Sequence, residues 1–460
     1  MIKQPRDLSY SHATTFVLWA IFAALCMILS GTPAHAQAMM RPGPPKVIDA
    51  RMQAQIIDSI SAALNDTYVF PQVAQDMEKF IRQQYRDKAY QDLTDLLAFT
   101  QKLTQDLQSI SKDRHLNIFY FAADAPGVRP PDSLSDADRR RETEAMAADN
   151  YQFEKVEHLP GNVGYLKFNG FIGAELAGST AIAAMNFLGH SDALIVDLRD
   201  NGGGEPSMIQ LITSYFFDQP VHLNSFYIRK TDSTQQFWTS AFVDGPRLTN
   251  ADIYVLTSNY SFSGAEEFAY NLQSLKRATI IGETTGGGAH PVNPRRFPNL
   301  DVTAFVPYGR AINPITGTNW EGVGVKPDIE VSRDRAFDVA YLEALKRLRD
   351  KTEDPIRKAA LGWSIEGREA LANPLAVDPE SLKQYAGTYG ARVITLENGE
   401  LYYQREGRPK FRLIPMAADK FALDGLDSFR IQFGRDGAGN ITELVGMYAI
   451  GETDRSSKNR

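Results

Sequence analysis

Ile253-Tyr254-Val255-Leu256-Thr257-Ser258-Asn259-Tyr260-Ser261-Phe262-Ser263-Gly264-Ala265-Glu266-Glu267-Phe268-Ala269-Tyr270 is the stretch that decides the fold. It opens on an apolar, β-branched run with the length of a buried strand. Small polar residues follow. Phe268, Leu272 and Leu275 then recur at helical spacing. Ser263 therefore stands where a strand turns sharply into a helix. Such a turn lifts a hydroxyl above the sheet edge and sets it beside the unpaired N–H groups of a helix start. A serine nucleophile needs that position. The same residues also read as a capping box, because Ser263-Gly264-Ala265-Glu266 has the Ser-x-x-Glu pattern.

Working outward, Ala193-Leu194-Ile195-Val196-Asp197-Leu198 is a continuous apolar run, the pattern of a central strand covered on both faces. It ends in Arg199-Asp200-Asn201-Gly202-Gly203-Gly204, and a helix is expected from about Pro206 to Phe217. Ala278 to Gly282 repeats the strand after the Ser263 helix. This alternation predicts an α/β core with crossover connections, beginning near Tyr151 with a strand at Val163–Phe168. The glycine run at 202–204 lacks the Gly-x-Gly-x-x-Gly spacing and the Gly-Lys-Ser/Thr of nucleotide loops. It does offer backbone N–H groups to an anion, and an oxyanion serves as well as a phosphate. A second glycine loop, Glu283 to Pro291, carries His290. Read blandly, His290 is a surface residue of that loop and Ser261 a turn hydroxyl; each is the second candidate for base and nucleophile.

Farther out, Asn319-Trp320-Glu321-Gly322-Val323-Gly324-Val325-Lys326-Pro327-Asp328 and a helix from Ala336 to Arg349 close the core, which is expected over 151–350. From about Asp378 short strands alternate with turns such as Asn398-Gly399 and Asp436-Gly437, predicting a small antiparallel β-domain over 378–452. Toward the N-terminus, helical periodicity from Val47 to Leu107, broken at 66–71, predicts a helical subdomain over 46–120. A polar turn there carries His115 into a strand. Residues 122–149, with Arg139-Arg140-Arg141, read as a solvated loop with one helix.

The chain has 460 residues and a net charge of −7, and it shows no basic stripe for nucleic acid. Residues 1–36 read as a signal peptide: Lys3 and Arg6, an apolar run from Phe16 to Leu29, and Ala34-His35-Ala36 as a cleavage site after Ala36. The apolar run is short for a membrane span. The expectation is a periplasmic or secreted chain with no span once mature. Its only cysteine, Cys26, lies inside that segment, so the mature chain offers no thiol chemistry. No His/Cys/Asp/Glu cluster has metal-ligand spacing, so no metal or cofactor is expected.

Together, the strand with Asp197 to Gly204, the turn Ser258 to Glu266, the loop Gly282 to Gly288 and the Glu321–Asp328 motif resemble the C-terminal processing (tail-specific) serine peptidases. The similarity extends to their tricorn-like and interphotoreceptor retinoid-binding protein-like branch, over about Ser111 to Val331. It implies ClpP/crotonase-like β-α layers, a serine-type peptidase acting on peptide or protein substrates, and Ser263 as nucleophile. In the tail-specific branch a lysine in the glycine loop is the base, but 283–291 contains none. Lys276 and Lys326 lie outside it. The tricorn-like pattern instead implies His115 as base and Glu321 as the third member. On this reading His115 titrates near its ordinary value or somewhat higher. The amides of Gly264 and Gly203 are the expected oxyanion donors. The stretch between His115 and Val163 is too short for an inserted PDZ module. A non-catalytic, ligand-binding member of the same fold and a hydrolase of non-peptide esters or amides are the alternatives.

Overall fold

A computed structural model describes residues 45–120, 135–373 and 375–459. The expected signal peptide lies outside them, as do 121–134. The described chain forms two compact units. One takes the residues up to His158 together with Gly164–Ala336, and the other takes Leu159–Val163 with the residues from Phe337 onward.

The first unit begins with three helices, α1 (Ala50–Thr67), α2 (Pro71–Arg86) and α3 (Leu96–Ser111). Asp49 and Asp95 cap α1 and α3 through Met52 N and Ala98 N, at 2.8 and 3.0 Å. Such caps satisfy helix-start donors that otherwise have no partner. Pro71 stands in the first turn of α2, where its missing N–H is not needed. Ile56, Ile60, Leu64, Phe99, Leu103 and Leu107 are fully buried in one core with Val302 and Ala304. Those last two belong to a sheet of their own. In it β1 (Asn117–Tyr120), which follows His115, pairs antiparallel with a later strand (Val302–Pro307), and that strand pairs with Val292–Phe297.

Helix α4 (Asp136–Ala148) is the one expected within 122–149, and a Ser135/Asp138 capping box starts it. The central sheet uses β2 (Phe153–Leu159), β3 (Val163–Phe168), β4 (Ala193–Asp197), β7 (Asp252–Thr257), β8 (Ala278–Gly282) and β12 (Ile329–Glu330). Its order is β12-β8-β7-β4-β3-β2. β4, β7, β8 and β12 run parallel. Every residue of β4 is buried, as a strand covered on both faces requires. Helices α5 (Ala174–Leu188), α6 (Pro206–Ser214) and α7 (Gly264–Ser274) are the crossovers. Ile209, Ile212, Phe268 and Leu272 share a core with Leu194, Val196 and Val255. Helix α6 ends at Ser214, short of the expected Phe217. The sequence reading had no place for the hairpin β5 (His222–Ile228) and β6 (Ser233–Trp238), to which β11 (Gly309–Ile312) adds an antiparallel strand. The strands before β11 are β9 (Val292–Phe297) and β10 (Val302–Pro307).

Helix α8 takes Arg333–Lys351. In the second unit, α9 takes Pro355–Ala372. Eight strands, β13 to β20 (Gly387–Tyr389 through Thr453–Ser457), follow one another in sequence order in an antiparallel sheet. Tyr389 bridges Lys458 and Asn459 N donates to Thr388 O (2.8 Å), so the sheet curls back on itself like a barrel. Its strands continue to Ser457, past the expected boundary at 452. Tyr389, Ile431 and Leu444 are fully buried inside it.

Candidate active site

The C-terminal ends of adjacent parallel strands are where α/β sheets leave room for ligands. β4 and β7 end side by side there, and their loops are laced together. Asp197, fully buried, holds Arg199 through both carboxylate oxygens (2.9 and 2.6 Å) and accepts from Tyr165 Oη at 2.7 Å. Burial alone would raise this carboxyl, but the Arg199 guanidinium and the Tyr165 hydroxyl hold it below its usual range. Ser258 Oγ donates to Arg199 O (2.6 Å) and Ser261 Oγ to Leu198 O (2.7 Å). Ser261 is therefore spent inside the turn, as its bland reading had it. Phe262 N donates to Asn201 O at 3.2 Å.

These ties force the next residue into an unusual conformation. Ser263 has φ 54° and ψ −118°, a region that L residues with side chains rarely adopt, and Gly264 opens α7 directly behind it. The Ser263 N–H donates to Glu266 Oε2 at 2.8 Å. Glu266 does far more than cap. Fully buried, it also accepts from Thr285 Oγ1 (2.5 Å), Gly287 N (2.6 Å) and Gly288 N (2.8 Å). Burial pushes its carboxyl up to about 7 against the pull of those donors. One side chain thus fixes both the serine turn and the second glycine loop.

The glycine run before α6 meets this turn closely. A Cβ on Gly203 would stand 2.6 Å from Gly264 N, so no larger residue fits there. The Gly203 N–H, however, donates to Asn201 Oδ1 at 2.8 Å. This corrects the expectation for Gly203: an amide already held by a side chain does not face a substrate. Gly204 N is the amide that approaches Gly264, 2.9 Å from where a Gly264 Cβ would stand.

His115 comes from the turn between α3 and β1. Arg114 Nη1 donates to Gly286 O (2.8 Å), tying that turn to the second glycine loop. The His115 ring lies 4.6 Å from the ring of Phe262, the residue that precedes Ser263 in the chain, and a Cβ on Gly288 would reach 2.6 Å from His115 Cε1. Glu321 is placed by its own turn: Glu321 N donates to Asn319 Oδ1 (3.0 Å) and Gly322 N to Gly287 O (3.0 Å). Its Oε2 accepts from Ala289 N at 2.6 Å. The side-chain ligand atoms of Asp113, His115 and Glu321 lie within 4.8 Å of one another. The fold thus assembles a cluster that sequence spacing had not revealed, because its members come from two distant segments.

His290 corrects a second expectation. It is buried, not a surface residue of the loop; its Nδ1 lies 2.6 Å from Asp113 Oδ2 and 3.5 Å from Glu321 Oε2. Tyr68 Oη donates to the same Asp113 oxygen at 3.2 Å. Burial lowers His290, but Asp113 and Glu321 outweigh it and leave the ring above its ordinary value. His115 goes the other way. Full burial lowers it to about 4, Asp113 pulls it up and His290 pushes it down. The expected value at or above 6.5 is therefore corrected downward, and desolvation is the reason. Burial pushes Glu321 up, Asp113 adds to the rise and His290 opposes it.

Sequence reasoning missed Asp113 and Glu266 as organisers of the site. Glu266 was visible only as a capping residue, and nothing in the spacing connected Asp113 to His290.

Two family models match the chain. Residues 162–331 match Peptidase family S41, and residues 46–154 match the N-terminal domain of Peptidase_S41 in eukaryotic IRBP. The tail-specific protease of Haemophilus influenzae is 33% identical over 98 residues, which is 21% of this chain and 13% of that protein. The tricorn protease of Thermoplasma volcanium is 27% identical over 144 residues, 30% of this chain and 12% of that one. The chain therefore spans only about an eighth of the length of either curated relative. A solved structure of the tricorn protease aligns with 65% of this chain and 37% of its own, at 16% identity and a TM-score of 0.43. No described helix is long and apolar enough to cross a membrane.

Proposed function

Because this chain carries peptidase family S41 domains, we propose that it is a serine endopeptidase working through a Ser263–His115–Glu321 site and an acyl-enzyme. The observation that carries the reading is Ser263 itself. It sits on a positive-φ turn at the start of α7; His115 packs on its neighbour Phe262, and Glu321 shares a cluster with His115 and Asp113. Ser263 Oγ attacks the scissile carbonyl as its proton passes to His115. Glu321 orients the imidazole and stabilises the imidazolium, helped by Asp113. The oxyanion is held by the amides of Gly264 and Gly204, each contributing on the order of 10²–10³ in rate. Collapse expels the amine, which takes the proton from His115. Water then repeats the sequence and releases the acid.

In the same reading the core of about 151–350 is layered in the ClpP/crotonase-like manner, and 46–120 is its helical companion. The β-strands from about 378 form a separate domain. The substrate is a peptide or protein, and the mature chain, cleaved after Ala36, is periplasmic or secreted. A fluorophosphonate probe tests the reading. Covalent labelling should map to Ser263 and fail in Ser263→Ala. Labelling elsewhere, or none in a folded protein, contradicts it.

A further inference from the structure

The proposed mechanism leaves His290 without a task. Its side chain is buried, and its ring stands edge-on to Phe70 with centroids 5.6 Å apart. Its Nδ1 lies between two carboxylates, 2.6 Å from Asp113 Oδ2 and 3.5 Å from Glu321 Oε2. Both carboxylates lead to His115, since the side-chain ligand atoms of Asp113, His115 and Glu321 lie within 4.8 Å of one another. Asp113 Oδ1 also accepts from the His115 N–H at 3.1 Å, and Tyr68 Oη donates to its Oδ2 at 3.2 Å. Glu321 Oε2 accepts from Ala289 N and faces His290, while Oε1 is buried with no hydrogen bond among the described residues.

Two buried carboxylates side by side repel each other and need a shared counter-charge to stay ionised. The His290 ring is placed to supply it. Arg310, whose guanidinium lies over the Phe70 ring, opposes a charge on His290, and burial does the same. Asp113 and Glu321 outweigh both. Glu266 adds to the rise of Glu321, and His290 counters that rise. The same positive ring pushes His115 toward its neutral form, the form that accepts a proton.

We infer that His290 is a positioning residue for this site: it bridges Asp113 and Glu321, occupies one oxygen of Glu321 and leaves the other for the His115 ring. The inference rests on the Ser263–His115–Glu321 reading above and adds a residue that acts through the last two.

The test measures kcat and KM against pH for the full mature chain, using a quenched fluorogenic peptide drawn from a mixed-sequence library. Asparagine can set its Nδ2 where the ring sets Nδ1, so His290→Asn keeps the donation to Asp113 and loses the charge. It should lower kcat about tenfold with KM held within about twofold. The acid limb of kcat/KM should move upward by about half a pH unit or more, because the cation opposing protonation of His115 and Glu321 is gone. His290→Ala should lose more. In a Glu321→Gln background the same His290→Asn change should cost less than about twofold, since the group it acts through is already disabled. Fluorophosphonate labelling of Ser263 and thermal denaturation verify that each variant is folded. Should the variants unfold, an NMR titration of the wild-type His290 ring decides: a midpoint above the ordinary ~6.5 supports the bridge, and one at or below it overturns it. An acid limb that stays in place, or an equal loss in both backgrounds, overturns the inference while the peptidase reading stands. Absence of both hydrolysis and Ser263 labelling in the wild type overturns the two together.

Discussion

Ser263 owes its position to the backbone ties of its turn and to the Glu266 carboxylate that accepts its N–H. Its hydroxyl can therefore be removed without disturbing what holds the turn. Ser263→Ala is expected to abolish peptide hydrolysis while costing at most about 1 kcal/mol of stability, the scale of a lost helix cap. Phe268, one turn on, is the contrast: fully buried against Phe171 and Phe216, its replacement by alanine should cost about 3–5 kcal/mol. Thermal denaturation of the two variants checks both. At His115 the prediction concerns pH. In the proposed mechanism the neutral ring is the base, so activity should be lost on protonation. Burial has lowered this ring to about 4, with Asp113 opposing the fall and His290 adding to it. The acid limb of kcat/KM should then lie well below the ordinary 6.5 of histidine. His115→Ala should remove nearly all turnover, Glu321→Gln part of it, and Lys276→Ala and Lys326→Ala none. An acid limb at 6.5 or above would show that burial does not govern the base. An active His115→Ala beside a dead His290→Ala would move the base into the glycine loop.

Among the elements, the second glycine loop depends on Glu266 most. Four donors converge on that carboxylate, from the serine turn and from Thr285, Gly287 and Gly288. Glu266→Gln replaces one acceptor oxygen with an NH2 group that must face a donor. Leaving a buried donor unmatched costs about 1–3 kcal/mol. The variant is expected to lose both melting temperature and kcat, where a simple cap would cost stability only. Unchanged kcat in Glu266→Gln would mean that the loop is held by other contacts. The sequence made the strand-turn-helix around Ser263 legible because its periodicity changes abruptly there, and the buried run at β4 was equally plain. The hairpin of β5 and β6 was not, since β6 is mostly exposed and carries no continuous apolar face. His290 was misjudged for a related reason. A histidine among glycines looks solvated until the fold brings Asp113 beside it, 177 positions away in the chain. Gly203 and Gly204 are indistinguishable as letters, and only the Asn201 side chain decides which amide is already taken.

At the scale of the whole molecule, the barrel-like unit has its own core and the site lies wholly in the other unit. Two expectations concern the chain as a whole. Mass spectrometry of the exported protein should find Gln37 as the mature N-terminus, and a terminus upstream of Ala34 would contradict cleavage after Ala36. Hydrolysis should also persist in excess EDTA, although Asp113, His115 and Glu321 stand close enough together to attract a cation. Activity lost to the chelator and restored by zinc would replace the serine mechanism with a metal one. The central claim is that Ser263 is a nucleophile activated in place. Incubating the mature protein with a fluorophosphonate and mapping the modified peptide tests it most directly. The account predicts a single adduct on Ser263, lost in Ser263→Ala and strongly slowed in His115→Ala; an adduct on another serine, or no adduct on the folded protein, would contradict it.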